Sequence, residues 1–125
     1  MSAPSRERGT LRLESCKRIM AFLPDDGTDR RLITALRRDK GVVRVATVPV
    51  RAVAALRDAK TKRGRLPEPV LARLVTVVVS ETEADAVFDF IYEGAGVERP
   101  GGGMVLMDKL IGATPFRLPE GVPDE

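Results

Sequence analysis

The chain has 125 residues, 43% hydrophobic and 31% charged, which fits one ordinary domain with a single core, and its formal charge of +3 is too small to indicate a nucleic-acid binder. It contains no His and one Cys, so Ser–His and Cys–His catalysis are excluded, an internal disulfide is impossible, and Zn or Cu has lost its commonest ligand. No apolar run could cross a bilayer and no signal-peptide pattern opens the sequence, so with its lone thiol the chain is expected to be cytoplasmic.

Residues 1–10 are small and polar, and the expectation is a disordered tail. The run from Leu11 to Leu23 reads as a first strand, best between Lys17 and Leu23, and Pro24-Asp-Asp-Gly-Thr28 supplies turn and N-cap residues. A helix follows with Leu32, Ile33 and Leu36 on one stripe, Arg30, Arg31, Arg37 and Arg38 elsewhere, and Gly41 as its stop. Val42 to Val50 is rich in β-branched residues and forms a second strand, in which Pro49 cannot donate to a ladder and so demands a sheet edge or a bulge.

A long polar loop, about residues 52–68, comes next, and Val70 to Val79 is apolar enough for a central third strand. Ser80 to Glu83 has the spacing of a capping box, and behind it Ala84, Val87, Phe88, Ile91 and Ala95 make a helical stripe. Met104 to Ile111 is the fourth strand, with Met104 and Met107 expected to pack, and residues 120–125 form an acidic tail. The order is βαββαβ, an α+β ferredoxin-like plan with an antiparallel sheet in the order 4-1-3-2 and two helices on one face, as a single domain over residues 11–119. That order puts the second strand at an edge, where Pro49 is tolerated.

Between the second helix and the fourth strand lie Gly94, Gly96, Arg99-Pro100 and then Gly101-Gly102-Gly103. Glycines here allow positive φ and leave backbone N–H groups exposed, and a concave row of such groups binds anions. Arg99 adds a planar fork for oxygen atoms. Taken alone, a tight connection that needs positive φ accounts for the same residues.

Element order, long loop and glycine turn together resemble the PII signal-transduction family, the nitrogen regulatory proteins P-II, as a divergent PII-like member, over about Lys17 to Leu118. The resemblance implies a homotrimer with three intersubunit clefts, each binding an adenine nucleotide with its phosphates on the glycine turn. It implies a non-enzymatic signalling protein whose long loop docks on a regulated protein, a membrane transporter or metabolic enzyme. Carried over residue by residue, the ligand contacts are Arg99, Gly101, Gly102 and Gly103, with Arg117 matching a C-terminal phosphate-contacting arginine. The family's lysine after the last turn glycine is Met104 here, Ala52 and Ala54 replace glycines at the loop base, and the sole tyrosine, Tyr92, lies in the second helix rather than the loop. A nucleotide with fewer phosphates, or a non-nucleotide anion, thereby enters consideration.

The loop carries Arg51, Arg57, Lys60, Lys62, Arg63 and Arg65 against Asp58. Charge runs are usually solvated surface. As a functional element this one would dock an acidic partner or contact phosphate, while RNA is disfavoured because no aromatic residues interleave for base stacking. Asp25, Asp26 and Asp29 are explained by capping the first helix, Glu81 and Glu83 by starting the second, and Cys16 is expected as an incidental or partly buried thiol. The alternative reading is a CutA-like trimer of the same architecture with a structural or metal-tolerance role, disfavoured by the absent His. An enzyme ranks last, because no general base can be named.

Overall fold

The computed structural model describes residues 5–8, 11–52 and 70–115. Its elements are β1 (Ser5–Arg8), β2 (Leu11–Glu14), β3 (Cys16–Pro24), α1 (Thr28–Lys40), β4 (Val45–Ala52), β5 (Val70–Ser80), α2 (Ala84–Gly94) and β6 (Met104–Lys109). From β3 onward this is βαββαβ, and the four-stranded antiparallel sheet runs β4-β5-β3-β6, which is the ferredoxin-like order. Pro49 sits on β4 at the sheet edge, opposite Arg73, where one side of the strand needs no ladder partner.

The strand alternation fixes which face is covered. Ile19, Ala21 and Leu23 of β3 and Val75, Val77 and Val79 of β5 are buried with Leu32 and Leu36 of α1 and Val87 and Ile91 of α2. Both helices therefore cover one face of the sheet. Leu36 and Ile91 have no exposed surface, and truncating either to Ala should cost about 2–5 kcal/mol through lost burial and the cavity left behind. The opposite face carries Met20 and Phe22 of β3, register partners of Leu106 and Met104 on β6, together with the cross-strand pair Arg18–Asp108. Arg18 binds Asp108 in a fork, Nε to Oδ1 at 3.2 Å and Nη2 to Oδ2 at 2.8 Å.

Several local expectations change. Of the stretch expected to be a disordered tail, Ser5–Arg8 form a strand paired with Leu11–Glu14. The physical reason is legible afterwards: two short runs separated by two residues, one of them Gly, have hairpin spacing. The first strand is accordingly split in two, with Ser15 between β2 and β3. The hairpin is tied to the chain after β6 by paired backbone bonds between Glu14 and Ala113, 2.7 and 3.0 Å.

The second strand starts at Val45 rather than Val42, because α1 ends in a left-handed Gly41 cap. Gly41 and Val42 N–H groups donate to Arg37 and Leu36 carbonyls there, and Val42 drops into the core. The capping box does not form. Ser80 belongs to β5 and its hydroxyl meets Thr82, while the Glu83 cap position makes no side-chain bond. Glu81 instead pairs with Lys109 at 3.1 Å, linking the β5–α2 turn to β6. Met107 packs against the core as expected, but Met104 lies on the helix-free side and is 43% exposed.

Candidate functional site

The β6 register brings the glycine turn beside the start of α1. Met104 pairs with Phe22, so the turn preceding Met104 lies next to the β3–α1 connection that follows Phe22. The chain leaves α2 through a left-handed Gly96 and reaches β6 through Gly101 and Gly103, whose φ angles are 64°, 73° and 106° respectively. Arg99 N–H donates to the Gly96 carbonyl at 3.1 Å, and Gly102 N–H donates to the Arg99 carbonyl at 2.9 Å. Gly102 is buried so tightly that a Cβ there would overlap the Gly96 carbonyl oxygen. The three turn glycines therefore divide their roles. Gly102 spends its N–H on closing the turn, while no backbone acceptor among the described residues takes the N–H of Gly101 or Gly103.

Arg99 points back to α1, its Nη2 lying 3.5 Å from Asp26 Oδ2. The other Asp26 oxygen accepts from the Thr28 N–H at 3.1 Å and from the Thr28 hydroxyl. The Thr28 hydroxyl, the Thr28 N–H and the nearby Arg99 and Arg31 guanidinia hold the Asp26 carboxyl below the usual carboxylate range, against a smaller opposing effect of burial. Arg31 Nη2 donates to the Thr28 hydroxyl at 3.3 Å. One carboxylate, two guanidinia and a threonine hydroxyl thus meet beside the glycine turn.

The N-cap of α1 is Gly27, without a side-chain cap bond; Asp26 reaches the Thr28 N–H from one residue further out, and Asp29 does something different. It is buried, 3% exposed, and its Oδ2 accepts from Arg73 Nε at 3.1 Å and from the Thr47 hydroxyl at 2.9 Å. It therefore bonds α1 to the strands on either side of the long loop. Sequence spacing offers no signal for this contact, because its partners lie 18 and 44 residues away.

Of the residues assigned to ligand contact, Arg99, Gly101, Gly102 and Gly103 share this turn, and Arg117 lies outside the described residues. Arg57, Lys60, Lys62, Arg63 and Arg65 of the long loop also lie outside them, while Arg51 is exposed near the end of β4. A cleft of about 420 Å³ opens at the other end of the sheet, lined in part by Glu14, Arg44, Ser80 and Glu83. Its arginine pairs with Glu14 at 3.3 Å and lies 3.6 Å from the buried Cys16 sulfur. Among the described residues no three His, Cys, Asp or Glu side chains cluster as a metal site would require, and no helix is long and apolar enough to cross a membrane.

Solved structures of PII proteins are similar in fold to this chain. The chain matches Arabidopsis thaliana PII bound to citrate with a TM-score of 0.57 at 18% identity, covering 74% of this chain and 75% of that one. It matches the B. subtilis GlnK–ATP complex with a TM-score of 0.60 at 17% identity over 77% of this chain and 82% of that one. A second B. subtilis GlnK structure gives 0.60 at 13% identity, covering 78% and 87%. No family model and no curated protein matches the sequence. The chain has a divergent PII-like fold, and two of these neighbours were solved with an anion, citrate or ATP.

Proposed function

We propose that this chain is a non-enzymatic, PII-like regulatory protein of the cytoplasm. It would bind a small anionic effector, an adenine nucleotide first among the candidates, at the glycine turn. Occupancy would control a partner protein, a transporter or metabolic enzyme, through the basic loop around residues 52–68. The observation that carries this reading is the turn itself: Gly101 and Gly103 N–H groups without backbone acceptors among the described residues, beside the Arg99 guanidinium, in a PII-like fold. Met104 stands where a lysine would add a cation, so a citrate-like or less phosphorylated ligand is a candidate beside ATP. Arg117, assigned to the ligand by the family resemblance, lies outside the described residues.

The helix-free sheet face supports a homotrimer. It presents Met20, Phe22, Met104 and Leu106, with Val48 47% exposed, an apolar surface that a second copy of the sheet would cover. In such an assembly the glycine turns would lie at intersubunit clefts. Ligand binding would shift the long loop between two states by preferring one of them, which changes partner affinity without any chemistry.

The test is thermal denaturation of the purified protein with AMP, ADP, ATP, citrate and bicarbonate, alongside limited proteolysis of the loop. At least one anion should raise the melting temperature and alter cleavage within residues 52–68. If none does either, the regulatory reading is wrong.

A further inference from the structure

The pairing of Arg99 with Asp26 is geometrically weak. Its 3.5 Å separation is longer than the roughly 2.7–2.9 Å of a good charge-assisted bond, and both side chains are nearly half exposed. Such a pair exchanges readily with solvent and with other anions. Arg31 flanks the same carboxylate. Its guanidinium donates to the Thr28 hydroxyl that Asp26 also engages, and it lies across Gly27, where a Cβ would meet Arg31 Nη1 at 3.3 Å. The donors that converge here are the Arg99 and Arg31 forks and the Thr28 hydroxyl, next to the glycine turn. Thr28 holds one Asp26 oxygen firmly, but the other oxygen meets Arg99 only at 3.5 Å and Arg31 reaches only the Thr28 hydroxyl, so both forks have capacity left for an anion.

We infer that Asp26 is an internal anion held in the effector's place, and that Arg31 joins Arg99 in gripping the effector's phosphate or carboxylate once Asp26 is displaced. This rests on the reading of the glycine turn as an anion site and adds two residues to it, a competitor and a second cation. Asp26 thereby sets a threshold. A singly charged anion gains little by replacing a carboxylate already present, whereas a polyanion engages both forks and the turn amides together. The site selects for polyanions even though it lacks the lysine replaced by Met104.

The experiment is calorimetric titration of the full chain with citrate and with ATP at low ionic strength, for wild type, Asp26→Asn, Arg31→Ala and the double variant. Asparagine keeps an oxygen to accept from the Thr28 N–H, so that bond at the start of α1 is retained. If Asp26→Asn nonetheless melts several degrees lower, Asp26→Ser, whose hydroxyl can accept the same bond, is read in its place. The expected result is at least threefold tighter binding of one polyanion to Asp26→Asn, with the gain shrinking in 0.5 M NaCl. Arg31→Ala should weaken binding by at least threefold in both backgrounds. Equal or weaker binding to the Asp26 variants, with wild type still binding, overturns the internal-anion proposal and leaves the glycine-turn reading standing. Unchanged binding to Arg31→Ala overturns the role of Arg31. No binding of either polyanion to any form removes the glycine-turn reading, and this inference falls with it.

Discussion

Gly102 packs directly beneath the Gly96 carbonyl, so closely that even a methyl group at position 102 would overlap that oxygen and crowd the Arg99 backbone and side chain. The neighbours are mostly backbone, which cannot rotate away as a side-chain tip can. The turn's shape is therefore fixed by a steric requirement at its buried centre, while the N–H groups of Gly101 and Gly103 have no backbone acceptor among the described residues. Gly102→Ala is expected to cost about 1–3 kcal/mol, the usual range for overpacking, and to abolish anion binding. Gly41→Ala makes the control. That position has φ 64° but nothing within 4 Å, so it should cost only about 1–2 kcal/mol from the left-handed backbone and leave binding intact. Thermal denaturation with parallel titrations separates the two.

The buried bond from Arg73 to Asp29 ties α1 to β5, and Thr47 ties it to β4. Removing Arg73 leaves a carboxylate, 5% exposed, without its charge partner. Losses of about 3–5 kcal/mol accompany such breaks when both partners are buried, and the partial exposure of Arg73 puts the expected cost of Arg73→Ala at about 2–3 kcal/mol. Thr47→Val removes one hydrogen bond to a charged group and should cost about 1–2 kcal/mol. Urea denaturation midpoints check both values, and a change smaller for Arg73→Ala than for Thr47→Val would contradict this ranking.

Acid should destabilise the protein through its paired carboxylates. Hydrogen bonding to Arg18 holds the Asp108 carboxyl below its usual range, and bonding to Thr28 does the same for Asp26. A carboxyl with a depressed native pKa binds its proton more readily in the unfolded chain, so its stabilisation is complete above the ordinary value of about 4. That stabilisation is lost as pH falls from there through the lower native value. Asp108→Asn should therefore flatten the fall in stability below pH 4 while lowering stability slightly at pH 7. Arg18 and Asp108 are partly exposed, so added salt should shrink their share of the difference. Chemical denaturation repeated between pH 2 and 7 measures it.

Much of this fold can be read from the residue pattern. Alternation in β3, the apolar run of β5 and the stripe of α2 set the element order, and Pro49 alone argued for the edge position of β4. The glycine turn was visible because glycine clusters have few other uses between a helix and a strand. What stayed hidden depends on distant partners. Asp26 and Asp29 are both acidic residues near a helix start, and only the packed structure separates one at the surface beside Arg99 from one buried against Arg73. The Ser5–Arg8 hairpin carries no such signal, because its residues are polar and pair with their immediate neighbours, leaving no core-facing periodicity.

The helix-free sheet face gives an expectation about assembly. Leu106 lies on that face opposite Met20 in register, so Leu106→Asp places a charge where another copy would pack. Light scattering of the wild-type protein should give a trimer of 13.6 kDa chains, and the variant should shift toward monomer with its helical content retained. A wild-type monomer at micromolar concentration would contradict the trimeric reading.

The central claim is that the glycine turn holds an anion, and a crystal structure of the protein grown with saturating ATP or citrate tests it most directly. The expected result is ligand oxygens within hydrogen-bond reach of the Gly101 and Gly103 N–H groups and the Arg99 guanidinium. Ligand bound elsewhere, with that turn unoccupied in a crystal whose ligand also stabilises the protein in solution, would contradict it.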